Sequence, residues 1–177
     1  TTAGPSPSAV SLTSEQLTER IKAEAHRIGF DLVGFAPAVT PGTAPFLESW
    51  LDAGHAGEMH YFERRRPAYS DLTRIHRNVR SVIVLAVNYH AGPATDSATS
   101  RKGGQVARYA WANVDYHDTL KTRLAQLADV LHELHPGCRT RGVVDTAPLL
   151  ERDFARLAGL AWFVKNTMLI NQKAGSC

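Results

Sequence analysis

The residue of this chain best placed for acid–base chemistry is Asp145, which follows Val143-Val144 and stands three positions before Pro148. The segment 139–145 (RTRGVVD) predicts a strand, and Pro148 at a first helical turn predicts a helix through Leu149, Leu150, Phe154 and Leu157 that ends at Gly159. Strand, turn and helix then meet at Asp145. Open sheets place their ligand crevices at such strand ends, so the carboxyl can face a substrate as a proton donor. The alternative is an N-cap-like carboxylate bonding the free amides of the next turn. The two roles need opposite pKa shifts: the cap lowers the value, whereas a donor needs burial against an apolar ligand to raise it.

Between residues 57 and 80, Arg64, Arg65, Arg66, Arg74, Arg77 and Arg80 face only Glu58, Glu63 and Asp71, with Tyr61, Phe62 and Tyr69 among them. Such a run either grips phosphates while its rings stack on bases, or forms a solvated basic face. Asp115-x-His117 resembles the Asp-x-His-x-x-Gly segment of some cobalamin enzymes, but Leu120 replaces the glycine. Asp115 therefore reads as a helix cap and His117 as a partly exposed helical residue, not a cobalt ligand. His132, His135 and Cys138 have spacings suited to a soft metal ion, yet they fall where a helix ends, and the helix dipole alone favours histidine there. Gly103-Gly104 carries neither a dinucleotide fingerprint nor a phosphate-loop lysine, and no nucleophile elbow occurs.

These residues need a scaffold. Thr13 and Gln16 form a capping box, and Leu17, Ile21, Ala25 and Ile28 make one apolar stripe ending at Gly29, which predicts a helix over 14–28. Residues 31–36 read as a short strand, and Leu47, Trp50 and Leu51 share a face of a second helix that stops at Gly54. The nearly unbroken apolar run 81–89 predicts a strand buried on both faces in the middle of a sheet. Asp115 caps a long helix carrying Leu120, Leu124, Leu127, Leu131 and Leu134, and the apolar tail 162–170 is expected to return to the sheet. Helices alternating with strands give an α/β or α+β domain.

At 177 residues and 44% hydrophobic content, the chain has enough apolar surface for one compact core, which excludes a disordered chain or a disulfide scaffold. Residues 1–12 read as a flexible arm and 13–177 as the folded domain. The longest apolar run, residues 82–87, is too short for a membrane span, and the N-terminus shows no secretory pattern, so the expected compartment is the cytoplasm. A net charge of +3 is too mild to announce a nucleic-acid partner by itself. Cys138 and Cys177 cannot assemble an iron–sulfur site from one copy.

Taken together, several segments resemble epoxyqueuosine reductase, the cobalamin and iron–sulfur enzyme of tRNA queuosine synthesis. They are Gly29-Phe30-Asp31-Leu32-Val33-Gly34, Gly57-Glu58-Met59, Ser81-Val82-Ile83, Ala107-Arg108-Tyr109-Ala110, Asp115-Tyr116-His117, Val144-Asp145-Thr146-Ala147-Pro148-Leu149-Leu150-Glu151-Arg152 and Lys165-Asn166-Thr167. The block around Asp145 is the most specific.

The resemblance implies a nitroreductase-like or reductive-dehalogenase-like domain, a mixed β-sheet flanked by helices, that holds cobalamin beside the modified base. It implies that Asp145 is the proton donor in the reduction of epoxyqueuosine to queuosine, with loss of water. Arg66, Arg108, Tyr109, Asp145, Arg152, Lys165 and Asn166 are the expected cofactor contacts, and Arg64, Arg65 and Tyr109 the expected tRNA contacts. Family members continue into a ferredoxin-like segment that ligates [4Fe-4S] clusters. This chain is therefore expected to be a fragment or a split product, a monomer whose electrons come from an iron–sulfur domain or a flavodoxin- or ferredoxin-type donor. Ala161 and Val164 stand where the family commonly has glycine, which implies a narrowed pocket. A corrinoid-binding module without reductase activity and a reductive-dehalogenase relative are the alternatives.

Overall fold

The computed structural model of the chain describes residues 12–89, 107–111, 113–165 and 168–176. Its elements run α1 (Ser14–Ile28), β1 (Leu32–Pro37), α2 (Ala44–Asp52), α3 (Tyr61–Ser70), β2 (Ser81–Ala86), α4 (Tyr116–Leu134), α5 (Glu151–Leu157), β3 (Trp162–Phe163), β4 (Leu169–Asn171) and β5 (Gly175–Ser176). Short 3-10 turns lie at Leu72–Arg74 and Arg108–Trp111.

The reciprocal cap that starts α1 is present: the Gln16 N–H donates to Thr13 Oγ1 at 3.2 Å, and the Thr13 N–H to Gln16 Oε1 at 2.9 Å. Gly29 ends the helix at φ +107°, a left-handed conformation that glycine adopts without a Cβ penalty. The chain then enters β1, which pairs antiparallel with β2, setting Val33 opposite Leu85, Gly34 opposite Val84 and Phe35 opposite Ile83.

Period-2 alternation divides this ribbon between two helical layers. Val33, Phe35, Ile83 and Leu85 pack against Ile21, Ala25, Phe30 and Leu127, on the side of α1 and α4. Ala36, Val82 and Val84 pack on the other side with Leu72 and Phe154 of α5. Phe154 is 1% exposed, and burying a side chain of that size contributes about 2 kcal/mol. The close approach of α5 depends on Gly34, where a Cβ would come within 2.8 Å of both Ala158 Cβ and the Ala158 carbonyl oxygen.

The architecture is therefore α+β, and several local expectations are corrected. β2 is covered on both faces as its apolar run predicts, but among the described residues its only strand neighbour is β1, so it is not central in a larger sheet. Residues 139–143 form no strand. Arg141 donates instead to the Ile75 carbonyl, and Gly142 lies against Leu124 of α4, leaving the extended segment without a strand partner. α5 starts at Glu151, three residues after Pro148, with Leu150 at its N-cap. The tail forms its own antiparallel sheet, β3-β4-β5, and does not rejoin β1-β2. All described pairings are antiparallel, where a mixed sheet was expected.

Candidate active site

The first turn of α4 meets the loop before α5 at Asp145. Asp115 caps α4, its Oδ1 accepting the His117 backbone N–H at 2.8 Å. The same oxygen lies 2.8 Å from His117 Nδ1. These contacts, the backbone N–H first, hold the Asp115 carboxyl below the usual carboxylate range. Tyr116 and His117 stack with ring centroids 4.0 Å apart and both reach Asp145. The Tyr116 hydroxyl donates to Asp145 Oδ2 at 2.6 Å, and His117 Nε2 lies 3.6 Å from the same oxygen.

Asp145 itself adopts φ +52°, a left-handed conformation unusual for a residue with a side chain, of the kind that clusters at functional sites. Its side chain is 53% exposed. The N-cap alternative is not what the chain adopts, since the N-cap of α5 is Leu150, with no side-chain cap bond. The loop is fixed from the other side by α3, where Arg65 Nη1 donates to the Thr146 carbonyl at 2.9 Å. Glu151, first residue of α5, has its carboxyl held above the usual carboxylate range. Burial is the main cause, the charge of Asp145 adds to it, and the Asp145 backbone N–H opposes it.

From Glu151 the next residue leads to a second feature. The Arg152 guanidinium carbon lies 5.8 Å from the Phe163 ring centroid, and that of Arg156 lies 5.7 Å away. Trp162 and Phe163 on β3 are 49% and 36% exposed, and Lys165 just beyond is also exposed. Ala161 is 8% exposed, so its methyl is packed inward instead of lining an open face.

Other expected site residues are placed differently. Arg66 is held by Glu48 and Asp52 of α2 and lies 3.6 Å from Glu63, so it clamps α2 to α3. Phe62 packs edge-on against Trp50 at 5.6 Å and lies 5.7 Å from Tyr69, which is 8% exposed. Phe62 and Tyr69 thus fill the α2–α3 contact, whereas Tyr61, stacked on Phe62 at 4.6 Å, is 44% exposed. Arg64 is exposed on α3. Arg108 and Tyr109 fall in the 3-10 turn Arg108–Trp111, but their side chains, like Asn166 and Cys177, lie outside the described residues. His132 Nε2 lies 3.1 Å from Thr140 Oγ1. Among the described residues no three His, Cys, Asp or Glu side chains gather as a metal site.

Sequence reasoning passed over Tyr116 and Glu151. Both stand in segments notable for their neighbours, and the available signal was that each adjoins a helix start facing Asp145. The site as built can present an open carboxyl, held at one oxygen by a phenol and beside an imidazole.

A family profile described as "Epoxyqueuosine reductase QueG, DUF1730" matches residues 70–146. The epoxyqueuosine reductase of Cyclobacterium marinum is 34% identical over 165 residues, covering 93% of this chain and 52% of the relative. That of Gloeobacter violaceus is 38% identical over 162 residues, covering 89% and 48%. A crystal structure of epoxyqueuosine reductase with a tRNA-Tyr epoxyqueuosine-modified stem loop matches with a TM-score of 0.77 at 27% identity, covering 93% of this chain and 44% of that one. The chain spans about half the length of the curated relatives it matches.

Proposed function

Because this chain belongs to the epoxyqueuosine reductase family, we propose that it carries the proton-donating, cobalamin-binding part of an oxidoreductase that converts epoxyqueuosine to queuosine in the tRNA anticodon loop. The observation that carries this reading is Asp145, an open carboxyl in a left-handed turn with one oxygen engaged by Tyr116. The other oxygen, Oδ1, is the one to give a proton to the epoxide oxygen, which takes a second proton and leaves as water while the ring carbons take up two electrons and become an alkene.

The chemistry of the exposed side chains fits a corrin, which is broad, flat and apolar with an amide fringe. Trp162 and Phe163 offer apolar rings, and Arg152 and Lys165 offer donors to carbonyl groups. Arg108, Tyr109 and Asn166 complete the proposed contacts, whereas Arg66 is committed to its carboxylates and serves the fold. When bound, cobalamin supplies low-valent cobalt as the source of electron density. The domain, residues 13–177, is read as nitroreductase-like.

Electrons come from a [4Fe-4S] domain or a flavodoxin- or ferredoxin-type donor, because the cluster ligands of the family are not supplied by Cys138 and Cys177. Arg64 is the tRNA phosphate contact, joined by Tyr109, while Arg65 adjoins the substrate through the Asp145 loop. The setting is a cytoplasmic monomer; no helix among the described residues is long and apolar enough to cross a membrane.

The test is the absorption spectrum of the purified chain mixed with cobalamin, followed by gel filtration. Binding shifts the visible bands and carries the corrinoid with the protein. An unchanged spectrum with no co-elution contradicts the reading.

A further inference from the structure

We propose that His117 resupplies the proton that Asp145 gives up, with Asp115 fixing its ring and Tyr116 holding the receiving carboxyl in place. The inference rests on the reading of Asp145 as the acid. The two oxygens of Asp145 have different surroundings. Oδ2 takes the Tyr116 hydroxyl at 2.6 Å and faces His117 Nε2 at 3.6 Å, so both inner contacts converge on one atom. That leaves Oδ1 to face substrate.

His117 has the connections such a role requires. Asp115 Oδ1, 2.8 Å from Nδ1, keeps a proton on that nitrogen and leaves Nε2 as the exchanging atom directed at Asp145. The ring is 28% exposed, so it meets solvent on one side and the acid on the other. The charged and titratable groups around the pair are Asp115, Tyr116 and Asp145, with Lys121 acting on Asp115 and Asp145 in turn acting on Glu151.

The proton count closes. Asp145 loses its Oδ1 proton to the departing oxygen and becomes a carboxylate. The His117 imidazolium closes the 3.6 Å gap and passes its Nε2 proton to Oδ2, and a half-turn about Cβ–Cγ, in which the Tyr116 hydroxyl exchanges one carboxyl oxygen for the other, returns that proton to the substrate side. Neutral His117, still protonated at Nδ1, takes a new proton at Nε2 from water. No electrons move in these steps.

The experiment compares His117→Gln with the unaltered protein, each loaded with cobalamin and supplied with the iron–sulfur or flavodoxin-type electron donor, with imidazole added. We expect kcat to fall about tenfold to a hundredfold, KM for the tRNA to stay within twofold, and imidazole to restore most of the rate. A wild-type kcat, or a loss that imidazole leaves untouched, overturns the proposal. A second readout needs no turnover: imidazole nitrogen spectra of the chain should show His117 protonated at Nδ1, with Asp145→Asn moving the Nε2 signal and sparing Nδ1. An unmoved Nε2 signal also overturns it. Full turnover by Asp145→Asn defeats the functional reading instead, so the two failures are distinguishable.

Discussion

The guanidinium of Arg65, on α3, donates to the carbonyl oxygen of Thr146, the residue after Asp145. A basic side chain of the kind that meets phosphate is thereby turned onto the loop that presents the acid. The left-handed turn at Asp145 is held from three directions: Arg65 on the following carbonyl, Tyr116 on the carboxyl, and Glu151 beside the backbone N–H.

This relationship separates two neighbouring arginines. Arg65→Ala should lower kcat about tenfold, the equivalent of roughly 1.4 kcal/mol in the barrier, with little change in tRNA affinity. Arg64→Ala should weaken tRNA binding at every sequence and reduce the slope of log K against log salt by about one. Binding titrations at several salt concentrations, alongside steady-state kinetics, check both.

Gly34→Ala should destabilise the fold by about 1–3 kcal/mol. The new methyl meets Ala158 Cβ and the Ala158 carbonyl oxygen at 2.8 Å, and a backbone atom cannot swing aside as a flexible side chain can. The midpoint of urea unfolding should fall with an unchanged slope.

Glu151 makes stability depend on pH. Its folded-state carboxyl binds its proton more tightly than the unfolded one, chiefly because of burial, so the folded state holds the extra proton. Stability is therefore fully present below the ordinary glutamate value and is lost as pH rises through the elevated one. Glu151→Gln should flatten this fall and raise the thermal midpoint relative to the unaltered chain near neutral pH while leaving the two closer at low pH. Thermal unfolding across that range checks the sign.

Arg66→Met should lower stability by releasing Glu48 and Asp52. It should leave the salt slope of tRNA binding unchanged. Chemical denaturation and the same binding titrations decide.

The helices and the first strand pair were legible because their signals are local. The Thr13–Gln16 box, Gly29 and the Leu120–Leu134 stripe each specify an element without reference to anything distant. Misreadings arose where tertiary partners decide. Residues 139–143 have strand chemistry, but α4 and Ile75 take them up instead. An unbroken apolar run at 81–89 told correctly of two covered faces, yet a helix can cover a face as well as a strand can flank an edge, and the sequence pattern does not distinguish a ribbon from a broad sheet. Asp145 was found from its place before Pro148, although the strand assumed to carry it is absent. Tyr116 was not found, because a tyrosine in a capped first turn looks like any other until Asp145, 29 positions away, is brought to its hydroxyl.

The role of Asp145 is tested most directly by Asp145→Asn, measured for queuosine formation and for corrinoid retention in the same cobalamin-loaded preparation supplied with the electron donor. The amide keeps the shape of the side chain but has no acidic proton to give. We expect epoxide reduction to fall by two orders of magnitude or more, roughly the general-acid contribution, while corrinoid remains bound. Queuosine formation at the rate of the unaltered enzyme would contradict a proton-donating Asp145.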